Sequence, residues 1–141
     1  MTIDEIENEI TEEFAFFGDD WESKYEHLID LGKNLPLIEE KNKTADKIIK
    51  GCQSTVWLNA ELINGKIVYT ADSDAIITKG MVALMVRVLS DQKPDDIVKA
   101  KLAFVNKIGL TEHLSPTRAN GLVSMINQMK LEALKALKGF K

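Results

Sequence analysis

The chain has 141 residues, 45% hydrophobic and 28% charged, with a formal net charge of −4. That length predicts one domain over residues 1–141, with a core that buries about two-thirds of the unfolded surface and needs no disulfide or metal to hold it. The acidic balance argues against a nucleic-acid partner, and no apolar run approaches the ~20 residues that cross a bilayer. Met1 to Glu5 is acidic and lacks the regions of a signal peptide. A single cysteine cannot close an internal disulfide, so the expectation is a cytoplasmic protein with no membrane partner.

Thr2-x-x-Glu5 is a capping-box pattern, and Ile3, Ile6, Ile10 and Phe14 then recur at helical spacing. Gly18-Asp19-Asp20 breaks this helix. A second one carries Trp21, Tyr25, Leu28 and Ile29 on one face, with Gly32 predicted as its stop. Residues 33–46 read as a loop. Ile48 and Ile49 lead into Gly51-Cys52, and from Val56 the pattern alternates, with Val56, Leu58, Ala60 and Leu62 on one side and Trp57, Asn59 and Glu61 on the other. Asn64-Gly65 signals a hairpin, returned by Lys66 to Thr70.

Asp72-Ser73-Asp74 offers a helix N-cap, and Ala75 to Leu89 is apolar on nearly every side, which marks a buried helix. Short helices are predicted after Pro94 and around Phe104. Ser115-Pro116 opens a last helix running to about Leu137, with Leu122, Met125, Ile126 and Met129 inward. The fold class predicted is α+β, with a small antiparallel sheet of two to three strands packed against helices.

Cys52 is the chief candidate for chemistry. A lone cysteine is often simply a small buried hydrophobe. Its neighbours argue otherwise: Lys50-Gly51-Cys52-Gln53-Ser54 is a polar, glycine-containing turn that lets another molecule come close. Backbone N–H groups of the turn and the Lys50 ammonium would lower the thiol pKa and favour the nucleophilic thiolate. The two histidines, His27 and His113, read as half-buried or local hydrogen-bonding residues rather than partners in a Cys–His pair. One thiol and two distant histidines make neither a zinc set nor an iron–sulfur ligand set, so no metal and no bound cofactor is expected. Asp72, Ser73 and Asp74 read either as caps alone or as caps that also contact a partner. Arg118, a cation in the first turn of a helix, sits against the helix dipole and so calls for a carboxylate partner or a site role. Trp21 and Trp57 read as core or half-buried aromatics.

Gly51-Cys52-Gln53-Ser54-x-Val56-Trp57-Leu58 resembles the cysteine motif of the SufE family of iron–sulfur-metabolism proteins. The resemblance continues through Trp21-Glu22-x-Lys24-Tyr25, Leu31-Gly32-x-x-Leu35-Pro36, Ala71-Asp72-Ser73-Asp74-Ala75 with Lys79-Gly80, and Leu114-Ser115-Pro116-Thr117-Arg118-x-x-Gly121-Leu122. Ala45 to Lys50 matches the family only loosely. The resemblance implies a fold like that of the iron–sulfur scaffold proteins without their extra cysteines. It implies Cys52 as the persulfide carrier, in a loop with Lys50, Gly51, Gln53 and Ser54, and a partner contact at Asp72, Ser73, Asp74 and Arg118. The implied partners are a SufS-type cysteine desulfurase, which owns the pyridoxal phosphate, and a downstream iron–sulfur scaffold. The role implied is a sulfur acceptor that stimulates the desulfurase, an accessory sulfurtransferase rather than a stand-alone enzyme. The alternative is a regulatory module that activates by docking without carrying sulfur.

Overall fold

Thr2 closes the capping box with Glu5 and starts α1 (Ile3–Ala15). Asp20 caps α2 (Trp21–Lys33) by accepting from the Ser23 N–H. The computed structural model describes residues 1–139 and continues with β1 (Val56–Ile63), β2 (Lys66–Ser73), α3 (Ile76–Leu89), α4 (Pro94–Lys99), α5 (Phe104–Lys107), α6 (Leu110–His113) and α7 (Pro116–Leu137). The architecture is α+β, with a two-stranded antiparallel sheet whose register runs from Val56 opposite Ser73 to Ile63 opposite Lys66.

Single bridges stand where a third strand would be. Pro36 and Ile38 bond to both backbone groups of Ala71, Asp91 and Gln92 bond to those of Ile67, and the Ile49 N–H donates to Val56 O. These short pairings shield part of the sheet edge. The Tyr69 hydroxyl reaches from β2 to donate to Met129 O at 2.6 Å, inside the core, and so fixes the sheet to α7.

Two sequence expectations need correction. Gly32 does not end α2; the helix runs one residue further and Asn34 is its C-cap. The reason for a glycine there is contact with α3, since a Cβ on Gly32 would lie 3.0 Å from Gly80 N, and one on Gly80 would run into the Leu28 carbonyl. The second concerns residues 72–74. Strand β2 continues through Ser73, and α3 starts at Ile76 with Ala75 as an N-cap that makes no side-chain bond. Ladder pairing with Val56 and Trp57 holds Asp72 and Ser73 in extended backbone, so neither is the N-cap, although Ser73 Oγ accepts from the Ala75 N–H at 3.3 Å. Elsewhere α3 is buried almost all round, as its sequence requires, and α7 turns Leu122, Met125 and Met129 inward.

The Gly32–Gly80 crossing gives a prediction with an unusual sign. Glycine to alanine inside a helix ordinarily stabilises by about 1 kcal/mol. Here Gly80→Ala should destabilise by about 1–3 kcal/mol, because the new methyl meets backbone that cannot move aside. Urea unfolding of the variant beside wild type checks this.

Candidate functional site

The cysteine turn, residues 50–54, lies between two fixed points. At its entry, Ile49 bonds to Val56. At its exit, Thr55 N–H donates to Asp74 Oδ1 at 3.1 Å, and Thr55 O accepts from Ser73 Oγ at 2.9 Å and from the Asp74 N–H at 3.3 Å. In between, Gly51 adopts φ +93°, which side chains with a Cβ rarely take up, and packs so closely on α7 that a Cβ would strike Ser124 Oγ. One turn earlier on α7, Gly121 offers bare backbone to the thiol. Cys52 S–H donates to Gly121 O at 3.5 Å, and a Cβ on Gly121 would lie 3.7 Å from Sγ.

A cavity of about 340 Å³ opens beside this sulfur. Gln53 and Ser54 of the turn, Thr78 and Met81 of α3, and Ser115, Thr117, Arg118 and Met125 of α7 complete its wall. Ser115 caps α7 by accepting from the Arg118 N–H at 3.3 Å, which sets Arg118 at the start of the helix and at the cavity. Arg118 is exposed and forms no ion pair among the described residues, so no carboxylate satisfies it within the fold.

The thiol differs electrostatically from the sequence expectation. Cys52 is half-buried, and burial pushes its pKa above the ordinary 9.0 with no charged group opposing it. Lys50 does not lower it; that side chain is exposed and makes no hydrogen bond or ion pair among the described residues. The resting group is therefore a protonated thiol, which suits a donor to the Gly121 carbonyl.

The three residues 72–74 part company. Asp74 is exposed and clamps the exit of the turn, and Ser73 is buried beneath it. Asp72 does not line the cavity. Its carboxylate lies on the outer sheet face and meets Lys43 at 2.7 Å and Lys79 at 3.3 Å. Burial pushes that carboxyl up, but the bonds from Lys43, the Ser73 N–H and Lys79 outweigh it and leave its pKa below the ordinary value. Lys43 also lies 5.0 Å from the Trp57 ring centroid.

Neither histidine joins the cavity wall. His27 meets Glu13 at 3.0 Å. His113 stacks on Trp21 at 3.8 Å, its Nδ1 lies 3.0 Å from Gly109 O, and its carbonyl accepts from the Tyr25 hydroxyl. The local role read for His113 is the one observed. Among the described residues no helix is long and apolar enough to cross a membrane.

Gly121, Ser124, Thr78 and Thr117 received no role from sequence. One signal for Gly121 was available: a glycine inside an otherwise regular helix costs about 1 kcal/mol against alanine, so it marks a close approach. Thr78 and Ser124 carried no comparable mark.

Comparison with known proteins identifies the family and the fold. The SufE family, described as the Fe-S metabolism associated domain, matches residues 8–133. An uncharacterized SufE-like protein of Rhizobium meliloti is 40% identical over 131 residues, covering 89% of this chain and 93% of the relative. SufE-like protein 1, chloroplastic/mitochondrial, of Arabidopsis thaliana is 40% identical over 113 residues, covering 79% of this chain and 30% of that longer protein. The solution structure of a hypothetical protein from Thermus thermophilus superposes with a TM-score of 0.77 at 19% identity, over 94% of this chain and 96% of that one. The chain belongs to the SufE family, a family associated with iron–sulfur metabolism.

Burial of the thiol predicts a reactivity profile. At pH 8, iodoacetamide should alkylate Cys52 more slowly in the folded chain than in urea. The folded rate should reach half its plateau at a pH above 9.0 and above the midpoint of the unfolded thiol, because the raised pKa keeps the folded group protonated to higher pH. Stopped-time mass spectrometry across pH reads both curves. A folded rate that levels off below pH 8 would show a thiolate at rest.

Proposed function

We propose that this chain accepts persulfide sulfur on Cys52 from a cysteine desulfurase, stimulates that enzyme by unloading it, and passes the sulfur on for iron–sulfur cluster assembly. The observation that carries the reading is the placement of the single cysteine, on an exposed turn, with its sulfur turned inward beside a walled cavity. An exposed persulfide would be lost to stray thiols and oxidants, so a carrier needs both access and shelter.

The step is a transpersulfidation. Cys52 loses its proton, and its thiolate attacks the outer sulfur of the donor's persulfide in the manner of thiol–disulfide exchange. One S–S bond forms at Cys52 as the donor's breaks. The donor leaves as a thiolate that takes up a proton, and no net oxidation occurs. Pyridoxal phosphate chemistry stays with the desulfurase. Because burial raises the thiol pKa, the partner must also supply the setting in which Cys52 ionises.

Gly51 lets the turn lie on α7, Gln53 and Ser54 wall the cavity, and Lys50 stands in solvent at the entry. Asp74 and Arg118, both exposed and flanking the turn, form the rim that meets the partner. Ser73 supports that rim from below, and Asp72 extends it through its lysine pairs. Charges at such a rim act chiefly on encounter and register.

Cys52→Ser should keep the wild-type melting behaviour, accept no sulfur and fail to stimulate a desulfurase in a reducing assay. Retained stimulation would instead favour activation by docking alone. Arg118→Glu should weaken desulfurase binding by about tenfold, the scale of one rim charge reversed. Lys135→Glu, near the other end of α7 and paired with Glu132, should bind as wild type does. Calorimetric titration reads both.

A further inference from the structure

The cysteine turn is clamped at both ends and nearly free in the middle. From Lys50 to Ser54 no backbone group makes a well-aligned hydrogen bond to the rest of the described chain. Gly51 touches Ser124 by packing alone. The single polar contact between the middle of the turn and its support is Cys52 S–H to Gly121 O, at 3.5 Å.

We propose that this contact is a latch that reads the chemical state of Cys52: it closes the turn on the bare thiol and releases it once the thiol carries a second sulfur. This rests on the sulfur-carrier reading above. The bare thiol has a proton to donate, and α7 holds its oxygen acceptor in fixed helical backbone. A persulfide has no hydrogen on Sγ. Its S–S bond is about 2.05 Å long, so along the 3.5 Å path to the carbonyl the outer sulfur would fall inside any allowed contact with the oxygen. The outer sulfur must therefore turn away from Gly121 O into the adjoining cavity, the donated bond is lost, and the turn then keeps only its end clamps and the Gly51–Ser124 packing.

The consequence is direction. A bare carrier presents a latched turn that its donor must open, whereas a loaded carrier, its outer sulfur turned into the adjoining cavity, is held only by its clamps and yields more readily to the next acceptor. Lys50 in the turn and Lys47 before it provide a built-in comparison, since Lys47 lies outside both clamps.

The test needs no partner enzyme. Inorganic polysulfide loads the chain when the Cys52 thiolate takes one sulfane sulfur and a polysulfide shorter by one sulfur departs, with no net electron change. After excess reagent is removed and loading confirmed by intact mass, the chain is cut briefly with a lysine-specific protease. The ratio of cleavage after Lys50 to cleavage after Lys47 is then measured. It should rise about threefold or more on loading, the scale on which one S–H···O bond acts, and return when a reductant strips the sulfur. Cys52→Ala, with no donor, should show the raised ratio without any sulfur, provided it melts as wild type does. If it does not, the polysulfide arm decides alone. A ratio that stays at the bare value in the loaded chain, or in folded Cys52→Ala, overturns the latch. Loading seen by mass with an unchanged ratio would leave sulfur carriage standing and remove only the latch. If polysulfide does not load the chain, Cys52→Ala still tests the latch.

Discussion

The cysteine turn lies directly on the backbone of α7, and this contact exists only because Gly51 lacks a Cβ. Gly51 approaches Ser124 more closely than any side chain permits, and Gly121 leaves its carbonyl bare to the Cys52 thiol. From that seating follow the half-burial of the sulfur, its raised pKa and the cavity at its side. A cysteine on a turn standing clear of α7 would be a more acidic and more exposed thiol, with nowhere to shelter added sulfur.

The remainder of the fold serves to hold α7 and the turn in register. Tyr69 ties the sheet to α7 through Met129, a buried bond of the kind that contributes about 1 kcal/mol and costs more when left unmade. Ser73 and Asp74, at the end of β2, fix Thr55 and so determine where the turn leaves the sheet. The start of α7 is set from a third direction, where Trp21 and Tyr25 of α2 grip His113 just ahead of the Ser115 cap. Helix α2 in turn is locked on α3 at the Gly32–Gly80 crossing. Elements distant in sequence thus converge on α7 and the turn beside it.

Local patterns made the elements legible. The capping box at Thr2, the alternation from Val56, the Asn64-Gly65 turn and the Ser115-Pro116 start each encode their structure within a few residues. What failed depends on contacts between segments. Gly32 looks like a stop because glycine after a helical pattern usually is one, and only the approach of Gly80 reveals its purpose. Asp72-Ser73-Asp74 has the composition of a cap, but pairing with β1 claims the first two residues for the strand. Cys52 was legible as the reactive candidate from its polar surroundings. Its protonation state was not, since burial against α7 outweighs a nearby lysine that points into solvent. Arg118 was singled out by the dipole argument, whereas Thr78 and Ser124 are ordinary residues until α3 and α7 bring them to the turn.

The central claim is that Cys52 carries sulfur rather than merely standing near a docking surface. Intact-mass measurement of the chain after incubation with a cysteine desulfurase and free cysteine tests it most directly. Sulfur carriage predicts a mass increase of whole sulfur atoms, located on the peptide containing Cys52 and absent from Cys52→Ser. A desulfurase that is stimulated while the chain's mass stays unchanged would contradict it.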